Sequence, residues 1–497
     1  MHSAKRRAPI EMTGAEFRRA GYHLIDRIAD FLDTIRERPV TTGESPAAIR
    51  TLLGPDELPE EGMQVGALVE EAANLMIEHS LFNGHPRFLG YITSSAAPIG
   101  ALGDLLAASV NSNAGAWAIS PVASEIEART VRWIAELIGY PRDCGGILTS
   151  GGNMSNFIGF LAAFFAKAGW DVRKEGLRSD AARTLRVYAA STTHTWIHKA
   201  TALFGLGTDC VRWIPLDAQE RLDVAALEQQ ILSDGERGDR PWIVIGTAGS
   251  VGTGVIDPLP DIALVCQQHD VWFHVDGAYG ALAAMLPDAP EELSGMAHAD
   301  SVAIDPHKWL YAPLEAGCAL VRDRELLRST FSFRPEYYKF DTVAGEETLN
   351  YNEYGLQNSR GVRALKVWLA LRQVGRRGYV QMIADDIALA RRFHHLVDVH
   401  PELEAVSLHL SVSTFRYVPA QAPPGGVERE PYLKAVNEEL LTRLQEGGEA
   451  FVSNAVVEGR YVLRMCVVNF RTSQEDIDAL PEIITRIGRA VATDLQR

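Results

Sequence analysis

Apolar residues recur at helical spacing near the start of the chain. Phe17, Leu24, Ile25, Ile28, Phe31, Leu32 and Ile35 form one broad stripe. Thr13 and Glu16 precede it with the T-x-x-E spacing of a capping box, and Pro39 stops the run. The spacing predicts an amphipathic helix that packs on its own domain, the commoner case, or on a partner subunit. Residues 43–62, GESPAAIRTLLGPDELPEEG, read as a loop-rich arm. From about residue 100 the pattern changes. Helical stretches such as SPVASEIEARTVRWIAELIGY alternate with short β-rich runs: LRVYAAS, PWIVIGTAG, VWFHVD, DSVAID and GCALVRD. That alternation predicts an α/β domain with a mostly parallel central sheet covered on both faces. From about 365 the chain reads as helix-rich. A later β-like run, GRYVLRMCVVNFRT, and a terminal helix, SQEDIDALPEIITRIGRA, suggest a small α/β domain. The expected division is an N-terminal helical segment 1–97, a large domain 98–365 and a small domain 366–497.

The 497 residues are too many for one ordinary core, which fits that division. The composition is globular, 46% hydrophobic and 23% charged, and the net charge of −16 argues against nucleic acid or an anionic membrane as partner. Cys144, Cys210, Cys266, Cys318 and Cys466 are scattered without a CxxC, so reduced thiols are expected rather than a disulfide or metal framework. The opening MHSAKRRAPIEMTG is basic with no apolar stretch behind it, and no apolar run is long enough to cross a bilayer. A cytoplasmic setting is expected.

Ligands of parallel sheets bind beyond the carboxyl ends of the strands. Four such ends carry reactive groups. TSGGNMSNFIGFLAAFF puts Ser150, Gly151, Gly152 and Asn153 directly before an apolar helix. Glycines let backbone approach a ligand, and a helix N-terminus offers N–H groups to an anion. The segment lacks both the Walker and the dinucleotide patterns, and a plain Gly-Gly turn is the commoner use of such a pair. VWFHVDGAYG ends in Asp276, whose charge after so apolar a run calls for a cationic partner; a helix N-cap is the bland alternative. Small Gly277 and Ala278 leave room beside it for something flat. His194 follows YAASTTHTWIHKA's Ser-Thr-Thr cluster, with His198 one turn on as a decoy. Lys308 follows a proline-set turn in AIDPHKW. A lone lysine is ordinarily a solvated charge, but in a semi-closed site it can bond an aldehyde. Taken together, an anion seat, an aldehyde-binding lysine, a ring-nitrogen carboxylate and a ring-covering group suit pyridoxal 5′-phosphate.

At these residues the chain resembles the group II pyridoxal-phosphate decarboxylases, most closely aromatic L-amino acid decarboxylases and bacterial relatives. The likeness runs nearly end to end. EFRRAGYHLIDRIADFL looks like their N-terminal dimer helix, GHPRFLGYITSSAAPIGALGDLLAASVN and AWAISPVASEIE like their substrate-side segments, and RYVLRMCVVNFRT like their C-terminal strand. HVDGAYG and DPHKW are the strongest matches. The resemblance implies the fold type I, aminotransferase-like architecture and a homodimer with shared active sites. It assigns Lys308 as the Schiff-base lysine, Asp276 as the pyridinium partner, and Ala278 and His194 to the two ring faces. Gly151, Gly152 and Asn153 fall in the phosphate-seat segment, with Ser94 and Asp305 nearby and His307 preceding the lysine. FRPEYYKF resembles the catalytic loop, so Tyr337 matches the tyrosine that returns a proton to Cα after carbon dioxide leaves. Relatives with phenylalanine there tend to make aldehydes.

For the substrate pocket the resemblance points to Tyr91, Ile92, Thr93, Gly115 and Ser359. Ile92 and Thr93 replace the phenylalanine and proline of animal enzymes, Gly115 replaces another aromatic, and Ser359 leans toward a phenolic side chain. The expected activity is decarboxylation of an L-amino acid, with aromatic ones in front, to the amine. Aldehyde synthesis or transamination on the same fold, and a non-catalytic cofactor-binding homologue, are the alternatives. No metal is expected.

Overall fold

The computed structural model describes residues 8–177, 180–333, 342–343, 345–423 and 425–495. The first helix forms as its cap predicts, Gly14–Thr34, with the Thr13 hydroxyl accepting from Glu16 N and the Glu16 carboxylate accepting from Thr13 N. Within its own segment it packs only lightly. The helix leans on a second helix, Val65–Glu78, through polar pairs such as Arg27 with Asn74 at 2.6 Å. None of its residues is buried, and Phe17 remains 54% exposed. The arm at 43–62 is also more ordered than it reads. Ser45 accepts from Ala48 N and Pro46 takes the first helical position, so Pro46–Leu53 winds into a helix.

A seven-stranded sheet organises the centre of the chain. Its strands are β1 (Gly145–Thr149), β2 (Leu185–Ala190), β3 (Val211–Ile214), β4 (Arg240–Thr247), β5 (Trp272–Asp276), β6 (Ser301–Ile304) and β7 (Gly317–Val321). Their spatial order is β1-β7-β6-β5-β4-β2-β3. Only β7 runs against its neighbours. Helices cover both faces, so the central strands read as continuous apolar runs, buried along nearly their whole length. The register sets Thr247 beside Asp276 and Asp276 beside Ala303, which lines up the carboxyl ends of β4, β5 and β6.

After a two-residue ribbon, β8 (Thr342–Val343) with β9 (Glu346–Glu347), the chain enters the long helix Ala364–Asp398. Gly375 interrupts it with φ 67° and ψ 166°, a conformation that suits glycine. A four-stranded antiparallel sheet follows, ordered β10-β11-β13-β12, from β10 (Leu403–His409), β11 (Val412–Tyr417), β12 (Ser453–Val457) and β13 (Arg460–Cys466). The late β-like run is thus strand only in its first half; the rest leads to Ser473, which caps the terminal helix Gln474–Asp494.

Candidate active site

At the carboxyl ends of the parallel strands lies a cavity of about 480 Å³. Among its lining residues are Lys308, Asp305, Asp276, His194, Gly152 and Asn153. Gly151, Ala278, His307, Tyr91, Ile92 and Thr93 complete the sequence-derived part of the wall. Each arrives by a short path. The turn after β1 delivers the glycines, the one after β2 His194, the end of β5 Asp276, and the one after β6 Lys308.

Lys308 Nζ stands 3.1 Å from Asp305 Oδ2, and His307 Nε2 is 3.5 Å from the same oxygen. His307 Nδ1 accepts from Ala316 N, which leaves the ring proton on Nε2, toward Asp305. Burial pulls the His307 pKa down, and Asp305 only partly offsets it. The other oxygen of Asp305, Oδ1, is buried without a partner among the described residues.

Asp276 is buried. Its Oδ2 accepts from the Trp196 indole at 2.7 Å and its Oδ1 from Ala278 N at 3.2 Å. Both donors are neutral. Among the described residues no lysine, arginine or histidine forms an ion pair with it, so the expected cation is not supplied by the described chain. His194 lines the same cavity. Shielding from water lowers its pKa against the pull of Asp276. Its Nδ1 accepts from Trp196 N at 3.3 Å, so the neutral ring carries its proton on Nε2. His198 instead lies against Trp213, ring to ring at 5.1 Å.

The glycines are tightly enclosed. Gly151 has φ +156°, and a Cβ there would come within 3.2 Å of the His307 ring. A Cβ on Gly152 would fall 2.8 Å from Asp305 Oδ2. Gly152 opens the helix Gly152–Lys167, whose first-turn N–H groups have no intrahelical acceptor. Thr247, the last residue of β4, lines the same cavity.

Three sequence-derived residues do not line this cavity. Ser94 sits behind it, its hydroxyl donating to the His307 carbonyl at 2.6 Å. Gly115 and Ser359 cluster elsewhere: Asn113 bonds Ser359 Oγ at 3.5 Å and Gly115 N at 3.0 Å. Gly115 has its own reason to be glycine, since a Cβ would lie 2.1 Å from the Asn358 carbonyl oxygen. Tyr337 lies outside the described residues.

Thr247, Asn156 and Trp196 are site residues that sequence reasoning passed over. Thr247 is the last residue of β4, so inspecting that strand's end would have found it. Asn156 is one turn into the glycine-led helix, where it accepts from the buried His274 at 2.7 Å. Trp196 meets Asp276 only through the fold.

The arrangement suits a flat ligand with an anionic tail, a cationic ring edge and a carbon that an amine can attack. The family model described as pyridoxal-dependent decarboxylase conserved domain matches residues 46–418. The chain is 30% identical over 469 residues to an aromatic-L-amino-acid decarboxylase of Bacillus atrophaeus, covering 94% of each. It is 28% identical to a phenylacetaldehyde synthase of a Rosa hybrid cultivar, covering 93% of this chain and 91% of that one. The crystal structure of TDC from Oryza sativa with PLP and tryptamine superposes with a TM-score of 0.89 at 26% identity, covering 98% of this chain and 99% of that one.

Proposed function

The chain belongs to the pyridoxal-dependent decarboxylase family, and from that membership we propose that it converts an aromatic L-amino acid to its amine and carbon dioxide. The residues present fit pyridoxal 5′-phosphate. Asp276 lacks a cation among the described residues, Asp305 has a buried oxygen without a partner there, and the glycines leave a backbone cradle. When bound, that cofactor supplies an electron sink for the bond to the departing carboxylate.

In this reading each residue has one task. Lys308 would hold the cofactor through its aldehyde, and Asp305, 3.1 Å from the Lys308 amine, would keep that amine placed. Asp276, oriented by two neutral donors, holds a proton on the ring nitrogen. His194 and Ala278 cover the ring. Gly151, Gly152 and Asn153 receive the phosphate at the helix start. Tyr91, Ile92 and Thr93 face the substrate side chain, and Tyr337 returns a proton to Cα. Gly115 and Ser359 do not line the cavity of their own chain, so in this reading a part in substrate selection would require the site of a second copy.

The observation that carries the reading is Asp276: a buried anion with only neutral described partners, in the same cavity as Lys308. A screen of common and aromatic amino acids tests it, with carbon dioxide, amine and aldehyde all measured. Amine from an aromatic substrate is the expected product. Aldehyde in place of amine overturns the reading in favour of the oxidative alternative, and no carbon dioxide from any substrate overturns it altogether.

The same reading includes a homodimer. Besides Phe17, Ile25 and Ile28, the helix Pro98–Val110 leaves Leu102, Leu105 and Leu106 about half exposed, more apolar surface than a solvent face ordinarily carries. Sedimentation at the monomer mass would exclude it. The same reading divides the chain at 97 and 365: the helix Pro98–Val110 begins at the first boundary, whereas the long helix from Ala364 adds to the large core as far as Ile387. A cytoplasmic location is supported by five buried free thiols. Among the described residues no helix is long and apolar enough to cross a membrane.

A further inference from the structure

Behind the lysine turn lies a buried carboxylate to which the reaction above gives no task. Asp386 belongs to the helix Ala364–Asp398 and is almost fully buried. Its Oδ2 accepts from the Trp309 indole at 3.0 Å and from the Tyr311 hydroxyl at 2.6 Å. The backbone of Asn469 bonds it as well. The two side-chain donors are the first and third residues after Lys308. Tyr311 N donates to the Lys308 carbonyl at 3.0 Å, and Tyr379 of the same long helix donates to the Leu310 carbonyl at 3.1 Å. Tyr279, which lines the cavity, packs its ring on Trp309 at 4.6 Å. The cavity wall, the lysine turn and the long helix therefore meet at one carboxylate.

Among the described residues no cation pairs with it. The titratable groups that face it are Asp385 on its own helix, Tyr311 on the turn, Tyr279 on the cavity wall and Cys466 at the end of β13, with Tyr379 beyond Tyr311. Burial raises the Asp386 pKa to about 7. An apolar residue of similar volume would fill such a place at lower cost. What explains the carboxylate is the pair of donors it holds.

We propose that Asp386 is a positioning residue for Lys308, acting through Trp309 and Tyr311 to fix the turn from which the lysine amine enters the cavity. The proposal rests on the reading of Lys308 as the cofactor anchor.

The test compares full-length Asp386→Leu, Asp386→Asn, Tyr311→Phe and the Leu–Phe double variant. Three quantities are read: affinity of the apoprotein for pyridoxal phosphate, the pH midpoint of the bound cofactor's absorption, and melting temperature. Asp386→Leu loses both hydrogen bonds, and affinity should fall on the order of tenfold with a shifted absorption midpoint. Asp386→Asn, which keeps an acceptor, should recover most of the affinity. Adding Tyr311→Phe to the Leu variant should cost less than adding it to the wild type, because both act on one contact. A lower melting temperature with unchanged affinity and midpoint would make Asp386 merely structural and overturn the proposal. If Asp386→Leu does not fold, the absorption midpoint of Tyr311→Phe, which removes a donor, decides: a wild-type value overturns the proposal, a shifted value supports it. Borohydride trapping separates the two layers. Label on a peptide other than that of Lys308 defeats the anchor reading itself, whereas label on Lys308 with unmoved midpoints defeats only the role of Asp386.

Discussion

The indole nitrogen of Trp196 donates to Asp276 Oδ2 at 2.7 Å, and both residues are buried. The bond holds the carboxylate at the end of β5 in one orientation without neutralising it. Trp196→Phe keeps an aromatic ring and removes the donor. It should weaken pyridoxal phosphate binding about tenfold, the scale of a hydrogen bond to a charged group. Cofactor titration of the apoprotein checks this; wild-type affinity would show that the indole only fills space.

Lys308→Ala should abolish covalent attachment of the cofactor. Borohydride-fixed label should vanish from the Lys308 peptide, and amine formation should drop by at least about a thousandfold, the scale of losing a nucleophilic partner. Retained label elsewhere in the chain contradicts the assignment.

Glu127 and Arg360 form a fully buried two-pronged pair, with contacts of 2.7 and 3.0 Å, and both also bond the backbone of Leu148 in β1. Removing one partner strands the other charge in the core. Glu127→Leu alone should cost roughly 3–5 kcal/mol, whereas Glu127→Leu with Arg360→Met should cost much less. Urea unfolding of both variants measures the difference. Equal losses would mean that the charge left behind is not what destabilises.

How much of this was legible beforehand depends on the range of the interaction. Asp276, Lys308, His194 and Gly152 each sit within a few residues of a strand end, so a local rule found them. The capping box at Thr13 and Glu16 is local too. Trp196 reaching Asp276, Arg360 reaching Glu127 and Asp386 reaching Tyr311 depend on how distant segments pack, which no local pattern encodes. The helix Pro46–Leu53 was missed for another reason: a Ser-Pro pair starts turns and helices alike, and the acidic, proline-rich stretch after it suggested a loop. The Asn358 carbonyl that stands where a Gly115 side chain would go is likewise a contact that only the fold creates.

That last point separates two substitutions. Gly115→Ala should destabilise by about 1–3 kcal/mol through overpacking against Asn358, whatever the substrate. Ile92→Phe, at the cavity wall, should shift the ratio of catalytic efficiencies among aromatic substrates. Melting curves and a substrate panel on both variants check the pair. An unchanged substrate ratio in the Ile92 variant removes that residue from the selection of side chains.

The raised pKa of Asp386 also has a sign. The folded group releases its proton near 7, while an unfolded aspartate releases it near the usual 3.8. Between those values unfolding frees a proton, so this group's contribution to stability falls as pH rises from about 4 to about 7. Relative to the wild type, Asp386→Asn should gain melting temperature across that window and hold the gain above it. A difference that does not vary with pH would assign the titration to another group.

Among the described residues the edge strand β1 pairs with β7 alone, Gly145 opposite Val321. A ribosome therefore makes the glycine pair early but must translate past residue 321 before anything docks along that edge. If these glycines seat the cofactor's phosphate as proposed, a chain that stops short of β7 lacks the strand that ties the seat into the sheet.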